Sequence, residues 1–270
     1  MKIVHSISSP DRIFETSGSQ PALFLCDDFN YYVCKYNRHP GAEASKLFRE
    51  FIAGHFAQIW NLAVPDFCLV KVDPLHVEGQ RILQPSFFKT LCFGSKYNSN
   101  FIEVDEFYAD MSPTIKRRFG FKYDFLRIAL FDIWLANEDR SFNNYNLLIN
   151  IENGNRFVPI DHDAIFNTGN LNNGIALLSD NETLIMTDLT KRLFKPKELR
   201  ESDFLKNIKN EYYICTSECE KNAEIILRTI PDDWNVNIAE YQNLFDKHLF
   251  NKRWKDDCFN HFQSLIQLQI

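Results

Sequence analysis

The sequence predicts an α+β fold in two parts, a β-rich front carrying one substantial helix and a mostly helical back. Three observations carry that prediction. Short apolar or aromatic runs bounded by polar turns crowd the first ninety-odd residues, with one long helical stripe among them. From about Thr187 onward, apolar residues recur at helical spacing. No repeat, low-complexity tract or Gly-, Ser- and Pro-rich linker separates the parts, so they read as lobes of one unit. The division falls at residues 1–95 and 96–270.

Within the front, Ala22–Cys26 and Tyr31–Tyr36 flank the polar turn Asp27-Asp28-Phe29-Asn30, a pattern suited to a hairpin. Between Ala42 and Asn61, the residues Leu47, Phe48, Phe51, Ile52, Phe56, Ile59 and Trp60 repeat at helical spacing, and the helix ends at Asn61 before Pro65. Phe67–Val72 and Gly79–Gln84 read as further strands. In the back, Phe121–Ala136 is apolar nearly all round, as in a helix buried on several sides. Tyr145–Ile151 and Arg156–Ile160 enclose Glu152-Asn153-Gly154-Asn155, and Asn-Gly between apolar runs is a strong hairpin signal. Three or four helices come next, among them Cys219–Ile230 and Arg253–Leu268, with Ile230-Pro231-Asp232-Asp233 as the break between them.

Composition removes several classes of function. Nine glycines in 270 residues is about half the usual share of roughly 7%, which disfavours any site built on a glycine-rich loop. The 30 Lys and Arg against 36 Asp and Glu leave a net charge of −6, opposite to the basic face that polyanion binding needs. No direct nucleic-acid binding is expected. Seven cysteines, an odd number, show no two-residue spacing of a zinc ribbon or thioredoxin motif. Cys215 and Cys219, four apart, lack a second ligand pair and read as buried thiols. Charged residues interrupt the first dozen positions, and no uncharged apolar run approaches membrane-spanning length. The expected location is the cytoplasm, unless another system exports the protein as an effector.

The chemistry concentrates in Asn137-Glu138-Asp139-Arg140-Ser141-Phe142-Asn143-Asn144-Tyr145-Asn146-Leu147-Leu148, which joins the buried helix to the hairpin. The hairpin returns the chain to Pro159-Ile160-Asp161-His162-Asp163, so Asp161 emerges beside the loop. Two carboxylates and an amide converging there make an oxygen-rich site suited to Mg²⁺ and phosphate chemistry. Asp139 to Asn144 is the Asp-x-x-x-x-Asn interval of the protein-kinase catalytic loop. There the Asp takes the hydroxyl proton and the Asn holds metal, while Asp161 stands where kinases place a second metal-binding Asp. The bland alternative is an Asx-rich turn whose side chains only cap backbone groups.

Lys35, near the end of the second strand in Tyr32-Val33-Cys34-Lys35-Tyr36, resembles the strand lysine that holds ATP phosphates. Alone it would be a solvated strand-end lysine. Its partner would be Glu43 or Glu50, and Glu50 lies nearer the core-facing stripe with Leu47, Phe48 and Phe51. A phosphate cover would have to come from Glu15-Thr16-Ser17-Gly18-Ser19-Gln20, since Gly18 is the only glycine before Gly41. No P-loop is present.

These residues together resemble the HipA-like serine/threonine kinases, in their short form consisting of a kinase domain alone. The resemblance rests on Tyr32-Val33-Cys34-Lys35, Ser45–Ala57 with Glu50, and Asn61-Leu62-Ala63-Val64-Pro65-Asp66. It continues through Cys92-Phe93-Gly94-Ser95, the Asn137–Leu148 loop, Pro159-Ile160-Asp161-His162 and Ile230-Pro231-Asp232-Asp233-Trp234, covering most of residues 15–240. It implies a bilobal protein-kinase-like fold with ATP and Mg²⁺ as cofactors. Asp139 would be the catalytic base, Asn144 and Asp161 Mg²⁺ ligands, Lys35 the phosphate contact and Glu50 its partner. Ser17, Gly18 and Ser19 would cover the phosphates. Some family members silence themselves by phosphorylating serine in that loop, which makes Ser17 and Ser19 candidate acceptors, with Ser8 and Ser9 more remote. A protein substrate, a bacterial toxin or effector role and an antitoxin-like regulator are further implications. Two departures stand out: Ser141 replaces a histidine frequent in the family, and the chain begins almost directly with the kinase.

Competing readings are a small-molecule or lipid kinase, since Ile160-Asp161-His162 also resembles phosphatidylinositol 4-kinase-like sequences, and a pseudokinase or partner-binding module. Acidic net charge and the lack of a basic amphipathic helix weaken the lipid version, and no membrane contact is expected. Retention of Lys35, Asp139, Asn144 and Asp161 weakens the pseudokinase. Most of the 25 phenylalanines fall at helix or strand spacing and read as core.

Overall fold

The computed structural model describes residues 1–14, 20–39, 41–104, 122–152, 154–201 and 203–270. The chain divides into two compact units. The first comprises Met1–Gly54, Pro65–Ser99 and Ile225–Ile238; the second comprises His55–Val64, Asn100–Glu224 and Ala239–Ile270.

The first unit is built on a six-stranded sheet of β1 (Ile3–His5), β2 (Arg12–Ile13), β3 (Ala22–Leu25), β4 (Tyr31–Lys35), β5 (Phe67–Lys71) and β6 (Cys92–Lys96). Its order is β1-β5-β6-β4-β3-β2, antiparallel except for the β1–β5 pair. The expected β3–β4 hairpin forms, with Phe29 at φ 59° in its turn. Strand alternation places Tyr32 and Cys34 in a core with Phe24, Cys26, Val70 and Cys92. Lys35 therefore points to the opposite face. Helix α1 (Ser45–Ile59) is bounded by Asn61 at φ 53°. There Leu62 N–H reaches Ala57 O (3.0 Å) and Asn61 N–H reaches Gln58 O (3.0 Å), the paired bonds of a Schellman C-cap. The helix begins three residues later than its apolar stripe suggested, because Ala44 N–H bonds Trp234 O.

The expected strand at Gly79–Gln84 does not form. Pro74 and Pro85 each open a short 3₁₀ turn, and Gly79 has φ 76°, so the segment folds into turns that bury Val77, Leu83 and Phe88. Close to these, the Ile230–Trp234 segment docks through Trp234, whose Nε1 donates to Leu91 O (2.7 Å) while Asp233 accepts from Leu91 N–H (2.9 Å).

In the second unit, β7 (Phe101–Glu103), β8 (Leu147–Asn150) and β9 (Arg156–Pro159) form an antiparallel sheet in that order. The β8–β9 hairpin lies where Asn-Gly predicted it. Helix α2 (Lys122–Leu135) is buried almost throughout from Phe125 to Leu135 and packs on β9. Next come α3 (Asp188–Leu193), α4 (Pro196–Glu201), α5 (Asp203–Leu227), α6 (Ile238–Leu244), a π-turn at Phe245–Leu249 and α7 (Lys252–Leu268). The helix expected at Cys219–Ile230 is the last third of α5 and stops at Leu227. Its upstream turns bury only a thin stripe, Ile208, Tyr212, Cys215 and Thr216, among polar residues. Burial raises the thiol pKa of Cys215 and Cys219. Helix α7 locks onto α2, with Trp254 Nε1 donating to Trp134 O at 3.0 Å. Among the described residues no helix is long and apolar enough to cross a membrane.

Gly94 sits where β4, β5 and β6 meet, paired with both Cys34 and Cys68, and a Cβ there would collide with the Val70 side chain. Gly94→Ala is expected to cost about 1–3 kcal/mol by overpacking. Urea unfolding checks this, and a Val70→Ala background should recover part of the loss.

Candidate active site

The loop after α2 owes its path to a backbone conformation that the sequence does not advertise. Ala136 adopts φ 49°, with Asn137 N–H on Asp132 O (2.9 Å) and Ala136 N–H on Ile133 O (3.2 Å). This is a Schellman turn with alanine where glycine is usual, a strain of roughly 1 kcal/mol or more. The turn throws Asn137 and Arg140 inward and leaves Asp139 exposed.

Arg140 is fully buried and pairs with Asp132 of α2, Nε to Oδ2 2.8 Å. Asn137 Nδ2 donates to the other Asp132 oxygen (2.9 Å). Burial pushes the Asp132 carboxyl pKa up, while the Arg140 charge beside it and the Asn137 hydrogen bond draw it back. Arg140 Nη1 also donates to the carbonyls of Tyr145 (3.4 Å) and Asn146. One guanidinium thus clamps the far end of the loop to the helix that starts it.

Asp139 receives two amides on a single oxygen, Asn144 Nδ2 at 3.2 Å and Asn146 Nδ2 at 3.1 Å from Oδ2. Asn146 has φ 45°, and its carbonyl accepts the Ile160 N–H at 3.0 Å. That bond joins the loop to the strand end that delivers Asp161, itself at φ 56°. Glu138 faces the segment after Asp161 and accepts from Asn167 Nδ2 (3.0 Å) and Thr168 Oγ1 (2.6 Å). Those contacts hold Phe166, Asn167 and Thr168 in three successive left-handed conformations, φ 61°, 48° and 56°. Left-handed non-glycine residues before, within and after the loop mark a region where local strain is held by tertiary contacts.

Asn144 and Asp161 offer hard oxygen donors, and this donor set fits Mg²⁺, which takes one or two protein carboxylates or amides and completes its shell with phosphate and water. In the first unit, Lys35 Nζ lies 2.5 Å from Glu50 Oε1, both side chains largely buried. Glu43 is exposed, ahead of α1. Ser8 and Ser9 lie between β1 and β2, where Ser8 Oγ donates to Ser9 O (3.2 Å). Ser17, Gly18 and Ser19 lie outside the described residues. Ser141 forms reciprocal backbone bonds with Asn144, and its Oγ accepts from Asn143 N–H (3.4 Å).

Sequence reasoning passed over Asp132, Arg140 and Asn146. A signal existed for the first two: an Asp inside a helix apolar all round needs a buried cation, and Arg140 is eight positions away. Arg140→Met should therefore destabilise the chain by about 3–5 kcal/mol, because it strands a buried carboxylate. Asp132→Leu combined with Arg140→Met should recover most of that loss in chemical denaturation.

A solved structure described as the Helicobacter pylori proinflammatory kinase CtkA superposes on the chain with a TM-score of 0.53 at 12% identity, covering 98% of this chain and 99% of that one. The chain thus has a kinase fold. Among curated proteins, none matches it in sequence. The family model of HipA-like kinases matches residues 11–263, nearly the whole chain. This chain belongs to the HipA-like kinase family.

Proposed function

We propose that the protein transfers the γ-phosphoryl group of ATP to serine or threonine hydroxyls of a protein substrate, with Mg²⁺ as cofactor. The observation that carries this reading is the convergence of the Asn144 and Asn146 amides on one oxygen of the exposed Asp139 carboxylate. They hold the carboxylate in a fixed orientation, with its second oxygen offered to an incoming hydroxyl. Asp139 accepts that hydroxyl's proton as the oxygen attacks phosphorus, and the bond from phosphorus to the bridging oxygen of ADP breaks. Lys35 donates to the ATP phosphates, and Glu50 keeps its ammonium group directed. Asn144 and Asp161 hold Mg²⁺, which when bound neutralises charge on the transferring phosphoryl group.

A pseudokinase would need the nucleotide contacts but not an oriented base, and the two amides on Asp139 favour the active enzyme. Family resemblance supports two regulatory readings as well. One is autophosphorylation at Ser17 or Ser19, the other control by an antitoxin-like partner of a toxin or effector kinase.

The test is incubation of the purified chain with Mg-ATP and dephosphorylated cellular protein, read by intact mass and by fragment mass spectrometry. The expected result is phosphate on serine or threonine. Asp139→Asn should lower kcat by roughly 10²–10⁴-fold. Asp161→Asn should abolish Mg²⁺-dependent transfer, and Lys35→Ala should weaken ATP binding. Phosphate on the chain itself should vanish in Ser17→Ala or Ser19→Ala. ATP binding without transfer to any acceptor would establish the pseudokinase instead.

A further inference from the structure

Among the described residues, two phenylalanines stand out in solvent: Phe29, 83% exposed in the β3–β4 turn, and Phe142, 57% exposed. Phe142 lies in the loop itself, between Asp139 and Asn144. The backbone bonds Ser141 N–H to Asn144 O (3.0 Å) and Asn144 N–H to Ser141 O (3.2 Å) close a two-residue turn with Phe142 and Asn143 at its tip. The base of this turn is tied to the Asp139 carboxylate by Asn144 Nδ2, and Arg140 holds the carbonyls of the next two residues, Tyr145 and Asn146, from within. The ring is therefore carried on a structured platform, not a slack loop. Its Cα is at most about 10–11 Å from that of Asp139, three residues away.

The chemistry of the remaining loop narrows what could lie there. Ser141, Asn143, Asn144, Tyr145 and Asn146 are uncharged, and the one cation, Arg140, is turned into the interior. Glu138 is engaged with Asn167 and Thr168. Beside Asp139 the loop thus presents no outward cation to read an acidic neighbour, and its distinguishing feature is an aromatic face.

We propose that Phe142 determines substrate specificity, docking an apolar side chain next to the phosphoacceptor on an extended substrate segment. The proposal rests on the reading of Asp139 as the base that receives the acceptor hydroxyl. Along an extended chain, residues two apart share a face and lie about 7 Å from each other. An acceptor at Asp139 thus brings the side chain two positions away to the Phe142 ring. Covering the ring removes apolar surface from water on both partners, which favours Leu, Ile, Met or Phe over small or charged residues.

The experiment offers the full chain and Mg-ATP a positional-scanning peptide set with a central serine or threonine, each flanking position fixed in turn as Leu, Phe, Ala, Lys or Glu. Dephosphorylated whole-cell protein is phosphorylated in parallel, and the sequences around the modified sites are read in the same way. For the wild type, Leu or Phe two positions from the acceptor should raise kcat/KM by roughly ten- to a hundredfold over Ala. Phe142→Ala should flatten that preference through KM for the acceptor, with KM for ATP unchanged, and Phe142→Leu should retain most of it. An unaltered preference in Phe142→Ala, or a wild type indifferent to apolar neighbours, overturns the assignment while leaving the kinase reading intact. Absence of transfer to any peptide or protein overturns both, and transfer to lipid or small molecules alone overturns the protein-substrate reading and this one with it.

Discussion

The ion pair between Asp132 and Arg140 is the constraint on which the candidate active loop depends. A carboxylate inside an apolar helix is tolerable only if a cation and hydrogen bonds compensate it. Arg140 can supply that charge only if the chain reverses immediately after α2, which forces Ala136 into a left-handed conformation. Once Arg140 is inside, its Nη1 N–H groups need acceptors, and the carbonyls of Tyr145 and Asn146 provide them. The loop is thereby closed on itself, and Asp139, the neighbour of a fully buried residue, is left pointing outward with its two asparagine braces. Orientation of the carboxylate results from satisfying a buried charge elsewhere.

Shared hydrogen bonds also tie the loop to the end of β9 and the segment beyond it. The Asn146 carbonyl serves Arg140 and Ile160 together, so the residue that braces Asp139 also fixes the backbone one position before Asp161. Glu138 then gathers Asn167 and Thr168 of the next segment. Base, proposed metal ligands and the strained turn after them form one connected set of hydrogen bonds in the second unit. In the first unit, Lys35 and Glu50 form an ion pair, set by strand alternation on β4 and by the position of Glu50 on the inner side of α1. The scarcity of glycine fits this picture: in the site, Ala136, Asn146 and Asp161, and Phe166, Asn167 and Thr168 beyond them, take φ above zero through tertiary contacts without glycine's freedom.

Much of this was legible beforehand, for identifiable reasons. The β3–β4 and β8–β9 hairpins carry local turn chemistry, α2 is an apolar run of helical length and α7 carries strong apolar periodicity, so each falls within a few residues of its expected place. The choice of Glu50 over Glu43 came from the same periodicity and agrees with its contact to Lys35. The segment Gly79–Gln84 misled because its apolar residues suggested a strand while the flanking prolines and Gly79 imposed turns. The extent of α5 was hidden because a helix touching the core by a narrow stripe looks polar in sequence. Asn146 escaped notice because an asparagine in a polar loop has no pattern to distinguish a brace from a solvated side chain.

By itself the sequence determined most element types, the Asp-x-x-x-x-Asn spacing with Asp161 beyond the hairpin, and through these the family. Periodicity, turn residues and spacing are local properties, readable along a chain. Tertiary structure alone decided which charges are buried, which backbone positions carry left-handed strain, and which phenylalanine of the loop region is left outside the core. Those outcomes depend on what each side chain meets across the fold, as Arg140 meets Asp132 and as Phe142 remains exposed to solvent.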